Sequence, residues 1–234
     1  MAFLSFLMMA VVALKGSYPP RAPEVPPRAV VASVVGFRVD DSIDVFDSVD
    51  ESALPVGVQR RAEAVGPSWN RISHYIQLVP QGQESLATGL ARIEPWLKTV
   101  RLPADTRLAW EPIESVDEKT GSVALEGWRS YLVKGEACLS SRDIESAAVV
   151  ESEDVRWSVR IRLRPEATEP LQRITHQMRK QRIALMIDGL IATAPRVNWE
   201  MSDRDIEINM GMGSDREASR VEAVRLLQRL TGHR

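Results

Sequence analysis

The sequence predicts an α+β fold, with helices on one face of a mainly antiparallel sheet. Three observations carry that expectation. Two apolar runs, Ile183–Ile187 and residues 190–194, are joined by Asp188-Gly189, and Asp-Gly between apolar runs is a strong hairpin signal. Trp157–Leu163 (WSVRIRL) alternates with the two-residue period of a strand. Residues 83–100 and 168–180 instead place apolar side chains at helical spacing. Helices and strands alternate irregularly, which argues for helices layered on an antiparallel sheet.

From the N-terminus, residues 1–14 read MAFLSFLMMAVVAL, with Ser5 the only polar residue after the initiator. A bilayer span takes about 20 apolar residues. Residues 1–16 are therefore expected to be an export signal or a short membrane anchor, the anchor helped by Lys15. Residues 18–28 (YPPRAPEVPPR) carry five prolines, so residues 17–29 read as a semi-rigid linker with no reason to pack. Folding is expected to begin near Val30, with a β-branched strand over residues 29–39. The acid-rich residues 40–51 read as a solvated loop or short helix. They lack the D-x-D-x-D-G spacing of a calcium loop, and no metal is expected there.

Residues 74–79, 108–112 and 128–134 read as further strands, with a polar turn over 114–121. In the helix over 83–100, Leu86, Leu90, Ile93, Leu97 and Val100 share a face. Pro95 either kinks it or starts a second short helix. In Trp157–Leu163 the apolar residues point one way, and Ser158, Arg160, Arg162 and Arg164 the other. The helix over 168–180 offers Leu171, Ile174 and Met178. The hairpin is almost wholly apolar, as a strand pair covered on both faces would be. Its turn needs positive φ, which Gly189 accepts and Asp188 tolerates. Pro195 has no donor, so it ends the second strand or sits on an edge. Residues 205–210 (DIEINM) alternate as a strand. Ser214 and Glu217 have capping-box spacing before a last helix, whose apolar side is Val221, Val224, Leu227 and Leu230.

Thirty basic and 32 acidic residues leave a net charge of −2, which offers no global attraction to nucleic acid or acidic lipid. The single cysteine, Cys138, excludes an intrachain disulfide and multi-thiolate zinc sites, and reads as a small core residue.

The wording of the hairpin resembles the periplasmic head of the protein-export subunit SecD. That family reads roughly G-K-R-L-A-I-V-L-D-G-x-V-x-S-A-P-x-I. Here Arg182, Ala184, Asp188, Gly189, Ala194 and Pro195 stand in the same order and spacing, with Lys180 in the same order. The family's strand "Y-L-L" and loop "L-T-G-x-x-I-x-D-A" are similar to Tyr131-Leu132-Val133 and to residues 139–147. There Ser140-Ser141 replaces threonine-glycine and caps an expected short helix. Thr175 sits where the family often has threonine, and the family's last helix is similar to Gly211, Gly213, Ser214, Glu217, Ala218 and Leu226-Leu227. Phe37–Asp41 (FRVDD) resembles the family strand L-E-F-R-L-V-D-D. The resemblance covers about 30–232, weak before Trp128 and good after it, and divides the chain into an N-terminal α+β part (30–127) and a head-like part (128–234). It departs at residues 198–204 (NWEMSDR), where the family's glycine pair is missing.

Few residues point to catalysis. His74, His176 and His233 lie in no metal-ligand spacing, and no nucleophile elbow, phosphate loop or dinucleotide fingerprint is present. Gly211 and Gly213 before a helix read as a tight turn rather than an anion site, and Asp188 as a turn former rather than a buried acid. Arg160, Arg162 and Arg164, with Arg156 nearby, read as the solvated face of a half-buried strand. No aromatic residue interleaves to stack a base, so a nucleic-acid partner is not expected. Of the tryptophans Trp69, Trp96, Trp110, Trp128, Trp157 and Trp199, most are expected in the core. Trp199 with Met201, and the arginine row, are candidate partner contacts.

The resemblance implies a head outside the membrane that contacts emerging preprotein and is moved by proton flow through a membrane part. No apolar run beyond Leu14 approaches the ~20 residues of a span, so this stretch cannot perform proton-driven work itself. The expectation is a non-enzymatic, cofactor-free, periplasmic or envelope domain, tethered through residues 1–14 or free. It would bind unfolded or extended polypeptide or dock on the Sec translocase or another envelope complex. A structural subunit that reuses the fold, and a small-molecule enzyme with a titratable pocket, are the alternatives.

Overall fold

Turn chemistry and strand pairing set the architecture seen in the computed structural model, which describes residues 11–13, 25–47, 49–65, 71–116, 123–151, 157–197, 203–210 and 216–232. In chain order the elements are β1 (Val11–Ala13), β2 (Val25–Arg28), β3 (Val34–Val39), β4 (Val58–Val65), β5 (Arg71–Leu78), α1 (Leu86–Leu97), β6 (Thr106–Val116) and β7 (Val123–Ser140). They continue as β8 (Ile144–Glu151), β9 (Trp157–Leu163), α2 (Pro165–Gln177), β10 (Ile183–Ile187), β11 (Leu190–Thr193), β12 (Arg196–Val197), β13 (Asp205–Asn209) and α3 (Arg216–Thr231). The fold is α+β and mostly antiparallel, as the sequence predicts. β1 with β12 is a parallel pair. The described residues of Asp40–Gly135 form one unit; those of Met8–Val39 and Glu136–Arg234 form the other.

In the unit of Asp40–Gly135, β5 lies between β4 and β7, and β6 pairs with β7 from Thr106↔Lys134 to Val116↔Val123. Helix α1 starts where the Ser85 hydroxyl accepts the Thr88 N–H at 3.2 Å. It runs through Pro95 as one helix to Leu97, so Pro95 falls in the last turn and starts no second helix. Ile93 is fully buried, and with Phe46, Val58, Ile76, Leu78, Trp110 and Trp128 it forms this unit's core. Phe46 belongs to the acid-rich stretch expected to be solvated. It is 2% exposed and stacks on Trp96, so this loop is anchored rather than free. Strand β4 was not foreseen, and β6 and β7 are both longer than the sequence suggests.

In the other unit one sheet has the order β12-β1-β13-β9-β8-β2. A second strand group places β10 between β11 and β3. Ala167 and Leu171 of α2 and Ala223, Leu226, Leu227 and Leu230 of α3 pack on Val149, Val159, Ile161 and Leu163. Val221, expected on the apolar side of α3, is 42% exposed; the buried stripe runs instead through Ser219, Ala223, Leu226 and Leu230. The short helix expected near residues 140–147 is a single 3-10 turn, Ser141–Asp143, before strand β8. The Asp143 carboxylate accepts both the Ser140 N–H (2.7 Å) and its hydroxyl (2.8 Å) and closes that turn.

The end of the proline-rich stretch does pack, contrary to expectation. Val25–Arg28 is an edge strand on β8, where the missing donors of Pro26 and Pro27 are tolerated. Val11–Ala13, inside the stretch expected to be an export signal or anchor, pairs with β12 and β13. The strand expected over 29–39 is confined to Val34–Val39. Among the described residues no helix is long and apolar enough to cross a membrane.

Candidate polypeptide-contact surface

The family-like hairpin is built as the sequence predicts. Asp188 and Gly189 take φ values of 51° and 86°, the left-handed pair that a two-residue turn between twisted strands needs. Ala184 is fully buried and Ala194 nearly so. The Pro195 carbonyl accepts the Ile183 N–H at 3.0 Å, and the Arg182 carbonyl accepts the Val39 N–H at 3.0 Å. Strand β11 stops at Thr193, ahead of Pro195. The motif residues Arg182, Ala184, Asp188, Gly189, Ala194 and Pro195 thus all lie in this hairpin or at its ends.

The arginine row is answered from the next strand. Register sets Arg160 opposite Glu207 and Arg162 opposite Asp205. The Arg160–Glu207 pair closes at 2.7 Å with both side chains mostly buried; Arg162–Asp205 closes at 2.8 Å with the guanidinium half exposed. The Ser158 hydroxyl donates to Asn209 Oδ1 at 2.7 Å, which completes a ladder of polar cross-strand pairs. Arg160 therefore presents no open charge to a partner, whereas Arg162 is partly accessible and Arg164 is exposed. Trp199, Met201, Arg156, Gly211, Gly213, Trp69 and His233 lie outside the described residues.

The other singled-out residues scatter. His176 is exposed on α2. His74 Nδ1 lies 3.3 Å from Asp44 Oδ2, which also takes Arg60 at 2.5 Å. Cys138 is half-buried, its thiol directed at the Gly36 carbonyl (3.4 Å), and burial pushes its pKa up to about 11. Such a thiol is a poor nucleophile. Among the described residues no three His, Cys, Asp or Glu side chains are grouped to hold a metal.

One cluster escaped sequence reasoning. Arg129 on β7 is 1% exposed, yet charged. Its guanidinium makes a two-pronged pair with Glu63 of β4, one arm at 2.7 Å. It lies 4.1 Å from the centre of the Tyr75 ring and 4.6 Å from that of Tyr131. The Tyr131 hydroxyl donates to Glu111 at 2.7 Å. Burial pushes the Tyr75 phenol above its ordinary range. The signal was the spacing of Arg129 and Tyr131, which puts both on one face of a strand. Its partners come from strands whose pairing no local pattern announces.

Residues 117–226 match the sequence model of the SecDF P1 head subdomain. No curated protein matches the chain. The solved structures similar to this chain include three of SecDF. One, described as a membrane component SecDF that enhances protein export, shares 16% identity with a TM-score of 0.32, over 85% of this chain and 94% of its own. A SecDF in a super-membrane-facing form shares 17% identity over 90% of this chain (TM-score 0.32), and a translocon-associated SecDF from Thermus thermophilus 18% over 91% (TM-score 0.35). This chain spans only 30% and 31% of those two proteins. The matched segment takes in the hairpin, the Arg160–Glu207 ladder and most of α3, and over it the chain is similar to a SecDF P1 head subdomain.

Proposed function

We propose that the chain is a non-catalytic, exported domain accessory to protein export, which binds unfolded or extended polypeptide or docks on the Sec translocase or another envelope complex. The head-subdomain match over residues 117–226 carries this reading. The described side chains support it: the buried Arg129 and the largely buried Arg160 are consumed in ion pairs with Glu63 and Glu207, and the one described thiol is held protonated. The domain works in the periplasm or at the cell envelope. The test is crosslinking in intact cells through a C-terminal tag, followed by mass spectrometry. Translocase subunits or varied exported chains are the expected yield. Recovery of the chain alone, or of one unrelated assembly, would overturn the export role in favour of a structural subunit.

A further inference from the structure

The sheet edges are closed in different ways, and one is left open. β2 runs through Pro26 and Pro27. β12 has two residues, and β11 has four. β6 carries Pro112 and a register shift at Ile113/Glu114. β4 has none of these features. It is eight residues long, in unbroken register with β5 from Val58↔Leu78 to Val65↔Arg71, and among the described residues it pairs on that side alone. Natural sheets usually guard such an edge with charge, proline or a bulge. Here two of the three charged residues are turned inward, Arg60 to Asp44 and Glu63 to Arg129, and Arg61 alone stays exposed.

Alternation identifies the outward groups. The Gly57 carbonyl accepts the Val79 N–H at 2.7 Å, so 59, 61, 63 and 65 also turn their backbone groups to β5. The Ile76 N–H, directed away from β4 to the Ser130 hydroxyl, agrees with that phase. Arg60, Ala62 and Ala64 then present N–H and C=O outward, while the Val58 N–H is taken by the Pro55 carbonyl. Ala62 and Ala64 are exposed and small, and Ile72, opposite Ala64, is 60% exposed. The strand is also rigidly held. Arg92, paired with Glu84 at 2.9 Å, donates to the carbonyls of Val56 and Val79 at its start.

We infer that β4 is a docking edge for an extended polypeptide, added as a further strand through the backbone of Arg60, Ala62 and Ala64. This rests on the polypeptide-binding reading above. Main-chain pairing gives sequence tolerance. The side chains set a preference: apolar residues against Ala62, Ala64 and Ile72, and a carboxylate rather than a cation near the exposed Arg61. A second copy suits the edge less well. Two-fold pairing centred on Arg61 opposes two guanidinium groups. Centred on Ala62, it offers Arg61 only Glu63, which Arg129 holds.

The probe is a labelled peptide that alternates Val and Thr around a central Glu, titrated into the full chain alongside a reduced, carboxymethylated protein. Ala62→Pro removes an outward N–H and leaves the ladder to β5 intact. It is expected to weaken peptide binding by about tenfold, the worth of one main-chain hydrogen bond, with an unchanged melting curve. N-methylation of alternate peptide bonds should abolish binding, and Arg61→Glu should shift preference to a Lys-centred peptide; both tests stand if Ala62→Pro fails to fold. Equal binding by all variants and both peptides overturns the assignment to β4 while the polypeptide-binding reading survives. No binding of either probe by the native chain overturns both. Dimerisation abolished by Ala62→Pro overturns it in favour of a second copy.

Discussion

Asp188 and Ser33 grip each other twice: the Asp188 N–H donates to the Ser33 carbonyl at 3.0 Å, and the Ser33 N–H donates to Asp188 Oδ1 at 3.2 Å. They stand 155 residues apart. The turn residue thus shapes its own hairpin and ties down the chain just before β3. Asp188→Ala should cost about 2 kcal/mol, from the lost acceptor and an alanine forced to positive φ. Asp188→Asn, which accepts the same hydrogen bond and tolerates that φ, should cost less than half as much. Urea denaturation of the two variants checks the ranking; equal losses would show that the Ser33 contact contributes nothing.

The Arg129–Glu63 pair is buried on both sides. Removal of one member strands the other charge out of water. Glu63→Leu or Arg129→Met alone should therefore destabilise by about 3–5 kcal/mol. The double replacement should recover most of that loss, since apolar side chains fill the space between Tyr75 and Tyr131 without a desolvation cost. A double-mutant cycle in denaturant measures the coupling directly.

Two neighbouring ion pairs on the β9/β13 ladder should behave differently. Asp205→Ala breaks a pair with a half-exposed guanidinium and should cost under about 1 kcal/mol, with the difference vanishing in molar salt. Glu207→Ala leaves Arg160, 13% exposed, without its carboxylate, and should cost several-fold more at any ionic strength. Thermal melts at low and high salt separate the two.

Cys138 gives a pH signature. Its folded pKa is raised to about 11 from an ordinary 9.0, chiefly by burial. The unfolded thiol ionises first, so the stability held below pH 9 is lost as pH rises toward 11. Cys138→Ala should flatten that part of the stability profile. In the native chain, alkylation of the thiol at pH 8 should be slow and should accelerate on unfolding.

Local chemistry made part of this fold legible. Asp188-Gly189 specifies its turn through φ alone, and Trp157–Leu163 shows its buried face by alternation. β4 (VQRRAEAV) was missed because only its end residues, Val58 and Val65, are buried, so no apolar period marks it. The short helix expected after Ser140-Ser141 stops at one 3-10 turn, because pairing of β8 (IESAAVVE) with β9 overrides the local signal. Val221 fits a helical stripe but falls outside it because α3 presents Ser219 and Ala223 to the sheet. The arginine row was placed on the right face of β9, but its carboxylate partners depend on the register with β13, which no single strand encodes. Arg129 needed β4, β5 and β7 aligned together.

The division of the chain at Val39 and Gly135 sets an order of events for any chain delivered N-terminus first, from a ribosome or through a pore. All strands that pair within Asp40–Gly135 come from one continuous stretch, so that unit can close as soon as it has emerged. Val34–Val39 must wait for Ile183–Ile187, and the core beneath it for α3, the last element of all. Until then β3 is an apolar strand with no partner at β10. The protein therefore passes through a period in which an early apolar strand of its own needs protection from the wrong partners.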